Sequence, residues 1–494
     1  MPDLDARIPG QSGGSFRQEH SAALPGSSPC PSSEKEPPPM MSATPDPAEA
    51  GWLIRLAESA DLHRRVGACQ HPITATGRVV LVERGTGRIL DDPNTLVPAD
   101  GRVALRCRNR RVSVCPPCAA LYKLDAYHLI AAGLHGGKDT PAAVAARPRL
   151  FVTLTAPSFG PVHLGPDRHG QPRACHPRAR RALAGRGCGR WHSAGDPMIG
   201  TPLDATGYDY TGQVLFNAHA GRLWARFVQQ TRRALATASG LPRHVAAAQV
   251  RIVFAKVAEF QARGVVHLHA VVRLDGADGP GSQPPVWATG TLLERALRFA
   301  VARVLVGVPG GRRVVVRGLR WGQQIDIRPI AVDGGLSEIV VARYVAKYAT
   351  KAAEVAGIDL GPIFCRDCDG HGVGSGARGS VVLCRRCAGT GRRSDVDLRE
   401  LGDHARRLVE ACWWLGGQPA YAGLRLRRHA HTFGFRGHFA TTSRAYSTTF
   451  AALRAERRHW THGQRAAGLG LDPEAVLVVG DWRYTGRGVE VGAA

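Results

Sequence analysis

Two short stretches of the 494-residue chain carry side chains suited to phosphodiester chemistry. In VARYVAKYATK, residues 341–351, a helix puts Tyr344 and Tyr348 one turn apart on one face with Lys347 beside them, because residues three and four apart are helix-surface neighbours. In GVVHLHAVVRL, residues 264–274, the β-branched enrichment predicts a strand. Its period of two turns His267 and His269 to one side and Leu268 to the other. Two imidazoles on one rigid strand suit a divalent cation. Together the stretches describe a cation that polarises a phosphodiester and a tyrosine that attacks it and keeps one end covalently. A free phenol, with a pKa near ~10, is mostly protonated at neutral pH and needs a metal or a lysine to activate it. Lys347 is placed for that role.

The elements that must position these groups follow from the flanking pattern. Residues 250–274 read as two strands folded back at residues 262–264, which brings Glu259 or Gln261 towards the two histidines. Glu259, anionic and hard enough for Mg²⁺ or Mn²⁺, is the expected third ligand, with Gln261 the alternative. RLFVTLTAPSFG, from Arg149, reads as an apolar strand ending in a Pro-containing turn, with Thr153 and Thr155 alternating with apolar residues. HAGRLWARFVQQTRRALATASG, from His219, reads as an amphipathic helix with Leu223, Phe227 and Ala234 on one side.

FVTLT, then HLH, then YVAKY, in that order, resembles the HUH endonucleases that start rolling-circle replication. More narrowly, the chain resembles the RepSA-type replication initiators of actinobacterial plasmids, and YVAKY is also similar to the two-tyrosine initiators of small isometric phages. The resemblance covers roughly residues 50–460, with FVTLTAPSFGPVH, AEFQARGVVHLHAVVRLD, YVAKYATK and GFRGHFATTSRAYS as its most specific pieces. It implies an α+β fold over residues 149–355, a central antiparallel sheet with flanking helices. It further implies nicking of plasmid origin DNA, held as a single strand, with a catalytic divalent cation on His267, His269 and Glu259. Tyr344 or Tyr348, with Lys347, would retain a 5′ phosphotyrosine and leave a free 3′ hydroxyl for a host polymerase, a host helicase being the further partner. The same chemistry serves a single-strand transposase or a relaxase. A zinc-containing DNA-binding protein without catalysis is the reading from another class.

Net charge of +25 and a pI near 10.4 point to a polyanionic partner, most commonly a phosphate backbone. Only six of the 65 basic residues are lysine, which a GC-rich genome accounts for. No apolar run reaches the length of about 18 residues that a membrane span requires, and the first residues lack the apolar core of a secretory signal. Twelve cysteines, several in CxxC pairs, with no sign of export favour metal binding over disulfides and a cytoplasmic location.

The remaining segments are read from composition and cysteine spacing. Residues 1–50, rich in Pro, Ser and Gly, are expected as a disordered tail. Residues 51–148 form a zinc module on Cys69, Cys107, Cys115 and Cys118, with His71 as a substitute ligand. A basic insertion at 163–210 carries Cys175, His176, Cys188 and His192 as plausible ligands, and a DNA-contacting loop is the preferred reading there. Residues 356–395 hold CxxCxGxG twice, Cys365, Cys368, Cys384 and Cys387, the pattern of a four-cysteine zinc ribbon whose glycines aim backbone amides at sulfur. That pattern is similar to the zinc repeats of DnaJ-type cochaperones, but no HPD tripeptide accompanies it. Residues 396–465 read as a basic helical region in which Phe433, Phe435, Phe439 and Tyr446 stack on unpaired bases, and 466–494 as a tail.

Overall fold

A computed structural model describes residues 66–90, 102–167, 169–176, 187–330, 337–351, 353–376, 380–468 and 470–487. The 1–50 segment lies outside the described residues. In chain order the elements are β1 (Ile73–Glu83), β2 (Arg102–Leu105), α1 (Pro116–His135), β3 (Arg149–Leu154), α2 (Tyr210–Ala238), α3 (Arg243–Gln249), β4 (Arg251–Phe260) and β5 (Val266–Asp275). There follow α4 (Gly290–Arg303), β6 (Val306–Val308), β7 (Arg317–Leu319), β8 (Ile325–Pro329) and α5 (Glu338–Ala349). The last are β9 (Val373–Ser375), β10 (Val381–Leu383), α6 (Asp403–Gly416), β11 (Ala440–Thr442), α7 (Phe450–Gly468) and β12 (Val476–Arg487).

β3, β4 and β5 are buried along most of their length because both faces of their sheet are covered. The strand order is β11-β4-β5-β3-β8, with every neighbouring pair antiparallel. Alternation divides the side chains. Leu150, Val152, Leu154, Phe260, Leu268 and Val272 face α2, α4 and α6. Phe151, Val253, Ala255, Val257 and Val271 face α1 and α5, where Leu129, Ile130, Leu134, Val341 and Val345 meet them. Each fully buried aliphatic side chain of this kind contributes roughly 1.5–3 kcal/mol. The sheet is therefore the rigid middle layer of a mixed α/β fold, and it presents His267 and His269 on the α1/α5 face.

A buried ionic network ties both of those helices to the sheet. Arg273, fully buried, donates to both carboxylate oxygens of Asp275 at 2.7 and 2.8 Å, to the Tyr446 carbonyl at 3.0 Å and to the Gly133 carbonyl. Arg149 donates to the Leu134 carbonyl and pairs with Glu338, and Arg147 reaches Asp275 at 2.9 Å. Two guanidinium groups thus satisfy the last carbonyls of α1, where a helix end favours cations. Glu338 lies in the first turn of α5, and Ser337 caps it by accepting from Val340 N–H, so the start of the tyrosine helix is fixed from two directions.

The C-terminal region departs from the expectation of a separate, DNA-stacking segment. Phe433, Phe435, Phe439 and Tyr446 are all buried, the three phenylalanines packing around Phe260 with ring centroids 5.9–6.1 Å apart. β11 extends the central sheet by pairing with β4. The 466–494 stretch is likewise not a plain tail, since β12 pairs with β1 from Ile73↔Arg487 to Glu83↔Val476. Burying aromatic rings and strand edges outweighs leaving them for a ligand, and neither outcome is encoded locally. Among the described residues no helix is long and apolar enough to cross a membrane.

Candidate active site

The β4–β5 hairpin turns at residues 261–264, where Gly264 takes φ +74° and Gly264 N–H donates to the Gln261 carbonyl at 2.8 Å. Asn217 of α2 holds this turn by donating to the Gly264 and Phe433 carbonyls at 2.9 and 3.0 Å and accepting from Val266 N–H at 3.0 Å. The register set by the turn puts Glu259 directly opposite His267 and Val257 opposite His269. One carboxylate oxygen, Oε2 of Glu259, accepts from Nε2 of both His267, at 2.8 Å, and His269, at 3.0 Å. The far ring nitrogens are held as well. Thr153 Oγ1 of β3 is hydrogen-bonded to His269 Nδ1 at 3.1 Å, and the Gln261 side-chain amide lies 3.4 Å from His267 Nδ1. Burial alone would raise the Glu259 carboxyl, but the hydrogen bonds and charge of the two imidazoles outweigh it and hold the group at about 2. Burial lowers the His269 imidazole below its ordinary range, offset in part by Glu259. One carboxylate and two imidazoles, with ligand atoms within 4.8 Å of one another, are a donor set that fits a hard divalent cation.

α5 brings the phenols to the same imidazole. Val341, Ala342, Val345, Ala346 and Ala349 form its buried stripe, which sets the helix rotation and leaves Tyr344 and Tyr348 at the border of the sheet face. Tyr348 stacks on His269 with centroids 5.1 Å apart, Tyr344 meets His269 edge-on at 5.3 Å, and the two phenol rings are 4.8 Å apart. Burial pushes the Tyr348 phenol up, reinforced by its hydrogen bond with Tyr344 and by the Glu259 charge. Lys347 is exposed. The lysine in contact with these groups is Lys351, whose Nζ lies 3.5 Å from Glu259 Oε1 and 4.8 Å from the Tyr348 ring centroid.

With this geometry in hand, the likeness to known proteins is specific. The chain matches the RepSA family, described as "Replication initiator protein, pSAM2", over residues 55–493. It is 44% identical over 459 residues to a replication initiator protein of Streptomyces ambofaciens, covering 90% of each chain. The chain belongs to the RepSA family of replication initiators. No solved structure matches it.

Two cysteine groups of this RepSA-family chain lie outside the site, and the segment of one of them contacts the tyrosine helix. Cys69, Cys107, Cys115 and Cys118 converge, as do Cys365, Cys368, Cys384 and Cys387. With metal–sulfur bonds of ~2.3 Å, a tetrahedral zinc has sulfur–sulfur edges of about 3.8 Å. The separations are 3.9 Å for Cys69–Cys115, 3.9 Å for Cys365–Cys384 and 3.7 Å for Cys368–Cys387, so both groups can hold such an ion. Amides point at sulfur, Gly372 N–H to Cys368 at 3.2 Å and Gly391 N–H to Cys387 at 3.3 Å. His71 is exposed and stands outside the first group. Between Cys107 and Cys115, Arg110 donates to the carbonyls of Ala349 at 3.3 Å and Lys351 at 2.7 Å, and its guanidinium lies 3.4 Å from the Phe439 ring centroid. The first cysteine group therefore presents an arginine to the C-terminal end of the tyrosine helix.

Glu259, His267, His269, Tyr344 and Tyr348, the five side chains expected from the sequence together with Lys347, lie around one point, whereas Lys347 stands exposed. Thr153, Lys351 and Arg110 join them without having been expected there. Thr153 carried a signal in the alternation of β3, whereas Lys351 and Arg110 depend on how α5 sits against other segments. An open cleft of about 840 Å³ lies between α1, α7 and β12, lined by Arg84, Arg106, Arg108, Arg454, Arg458 and His462.

Proposed function

We propose that this protein starts rolling-circle plasmid replication by nicking and rejoining origin DNA through a covalent tyrosine intermediate, on a site of the HUH type. The observation that carries this reading is the meeting of Glu259, His267, Tyr344 and Tyr348 around the His269 imidazole. Membership of a replication-initiator family favours an origin as substrate over a transposon end or a transfer origin. Glu259, His267 and His269 would hold Mg²⁺ or Mn²⁺, which when bound supplies Lewis-acid polarisation of the scissile phosphodiester.

The chain's own residues supply the rest. Thr153 and Gln261 hold the outer ring nitrogens, so that both Nε2 atoms face Glu259. A phenol oxygen, of Tyr344 or Tyr348, attacks phosphorus as the bond from phosphorus to the 3′ oxygen breaks. The 5′ phosphate stays on the tyrosine, the departing 3′ oxygen takes up a proton and the phenol proton passes to solvent. Attack by a 3′ hydroxyl on the phosphotyrosine reverses the step and rejoins the strand. Lys351, beside Tyr348 and Glu259, places a positive charge where the phenol must become anionic. Two phenols one turn apart let the second accept a strand while the first still holds one. The basic cleft beside α7 suits the phosphate backbone of the origin.

Trypsin cuts after Arg343, Lys347 and Lys351 and so separates Tyr344 from Tyr348 into the peptides YVAK and YATK. After incubation with Mn²⁺ and single-stranded origin oligonucleotides, mass spectrometry is expected to find a nucleotide adduct on one of these peptides. Strand nicking with both peptides unmodified would overturn the tyrosine assignment.

A further inference from the structure

The basic insertion contains four converging side chains that the nicking reading does not use. His163 Nδ1 lies 3.3 Å from His192 Nε2, Cys188 Sγ lies 3.4 Å from His192 Nε2 and Cys175 Sγ lies 3.8 Å from His163 Nδ1. Metal–sulfur bonds of ~2.3 Å and metal–nitrogen bonds of ~2.0–2.1 Å give a tetrahedron with nitrogen–nitrogen edges of about 3.3 Å and nitrogen–sulfur edges of about 3.6 Å. The three separations lie on those edges to within a few tenths of an ångström. Cys175 is fully buried and both histidines nearly so, and the inward-facing atoms His163 Nδ1, His192 Nε2 and Cys175 Sγ are turned towards one another, as an ion between them would require. The surroundings are those of a ligated set. Leu164 N–H donates to Cys175 Sγ at 3.3 Å, and Asp196 Oδ2 accepts from His192 Nδ1 at 2.6 Å, a carboxylate behind an imidazole that fixes its tautomer.

We propose that His163, Cys175, Cys188 and His192 bind a structural Zn²⁺, with Asp196 orienting His192, and that this ion clamps the insertion onto the β4–β5 turn. Two thiolates and two imidazoles select zinc over the oxygen-loving cations suited to Glu259. The fourth ligand is His163 and not His176, whose ring turns away to the Val162 carbonyl at 3.0 Å. His163 anchors the loop's return strand: its N–H donates to the Thr201 carbonyl at 2.9 Å and its carbonyl accepts from Gly200 N–H at 3.0 Å. Gly200, at φ +84°, lies so near the turn that a Cβ there would stand 2.6 Å from the Ala262 carbonyl carbon. The same turn carries Gln261, which touches His267, and Arg263, whose Nε donates to Gln261 at 2.8 Å. The ion would thus hold in place the segment behind one histidine of the candidate active site. The zinc assignment stands whether or not the protein nicks DNA.

The test is a metal count on the purified, tag-free full chain by inductively coupled plasma mass spectrometry. Wild type is expected to carry about three zinc equivalents, one for each cysteine-containing group. Cys188→Ser and His163→Ala should each lose one equivalent, and His176→Ala none. A wild-type count of two, an undiminished count in Cys188→Ser, or a loss in His176→Ala would each overturn the assignment. Thiol alkylation of the wild type covers the case in which the variants do not fold. Cys188, only partly buried, should resist iodoacetamide until a zinc chelator is added. Alkylation at the same rate with and without chelator would contradict the site.

Discussion

Arg110 offers a direct way to separate the tyrosine helix from its support. Its guanidinium caps the Ala349 and Lys351 carbonyls and packs on Phe439, and burial lowers it to about 10, which leaves it charged at neutral pH. A hydrogen bond from a charged donor contributes roughly 1.5–3 kcal/mol, and a cation over an aromatic face about 0.5–2 kcal/mol. These terms share one side chain and do not add fully, so Arg110→Ala should destabilise the last turn of α5 by about 2–4 kcal/mol. At ~1.4 kcal/mol per tenfold, that is a rise of about 30- to 700-fold in the rate of locally opened amide exchange. Hydrogen–deuterium exchange read at peptides covering Glu338–Ala349 measures it, with α4 on the opposite sheet face as the internal control. Arg110→Lys keeps the charge without the fork and should lie between wild type and alanine. Unchanged exchange in α5, or equal acceleration in α4, would refute the capping argument.

Two further outcomes follow from the same geometry. The folded-state pKa of Glu259 is depressed from 4.5 to about 2, so its contribution is fully present above 4.5 and is lost as pH falls through about 2. His269, lowered by burial, acts in the same direction, because its protonation also favours the unfolded chain. In protein dialysed free of Mg²⁺ and Mn²⁺, Glu259→Gln should therefore flatten the acid limb of the urea-unfolding free energy between pH 4.5 and 2 by up to about 3 kcal/mol, and an unaltered limb would contradict the arrangement. Gly133→Ala raises helix propensity by about 1 kcal/mol, yet its Cβ would stand 2.2 Å from the fully buried Tyr446 ring. A net loss of roughly 1–3 kcal/mol in urea unfolding is expected, and a gain would show that the ring has room to move.

How far these features were legible in the sequence depended on the range of the interactions that decide them. The HLH strand, its hairpin partner and the carboxylate opposite were readable, because alternation and one turn fix Glu259 against His267. The phenol pair was readable from helical spacing alone. Which lysine joins them was not, since Lys347 and Lys351 are one turn apart and only the packing of Val341 and Val345 decides the rotation. Aromatics among arginines at 433–446 looked like a base-stacking surface, but β11 and the phenylalanines close over Phe260 instead. The β1–β12 pairing joins the two ends of the described chain, a contact that no local pattern specifies. The histidine that completes the Cys175–Cys188–His192 group is His163, because the loop's return through Thr201 brings it there and the His176 ring is engaged by the Val162 carbonyl.

If the phenols beside His269 form the covalent link to DNA, the protein can be captured on its substrate and seen on a denaturing gel. Single-stranded oligonucleotides tiled across the replicon that carries the gene, labelled at the 3′ end, would be incubated with Mn²⁺ and the wild type or the Tyr344→Phe/Tyr348→Phe variant. A labelled band at protein mass is expected for the wild type and none for the double variant, with oligonucleotide binding within about threefold between the two, since neither hydroxyl is needed to hold the backbone. A labelled protein band that persists in the double variant would contradict a link through these phenols.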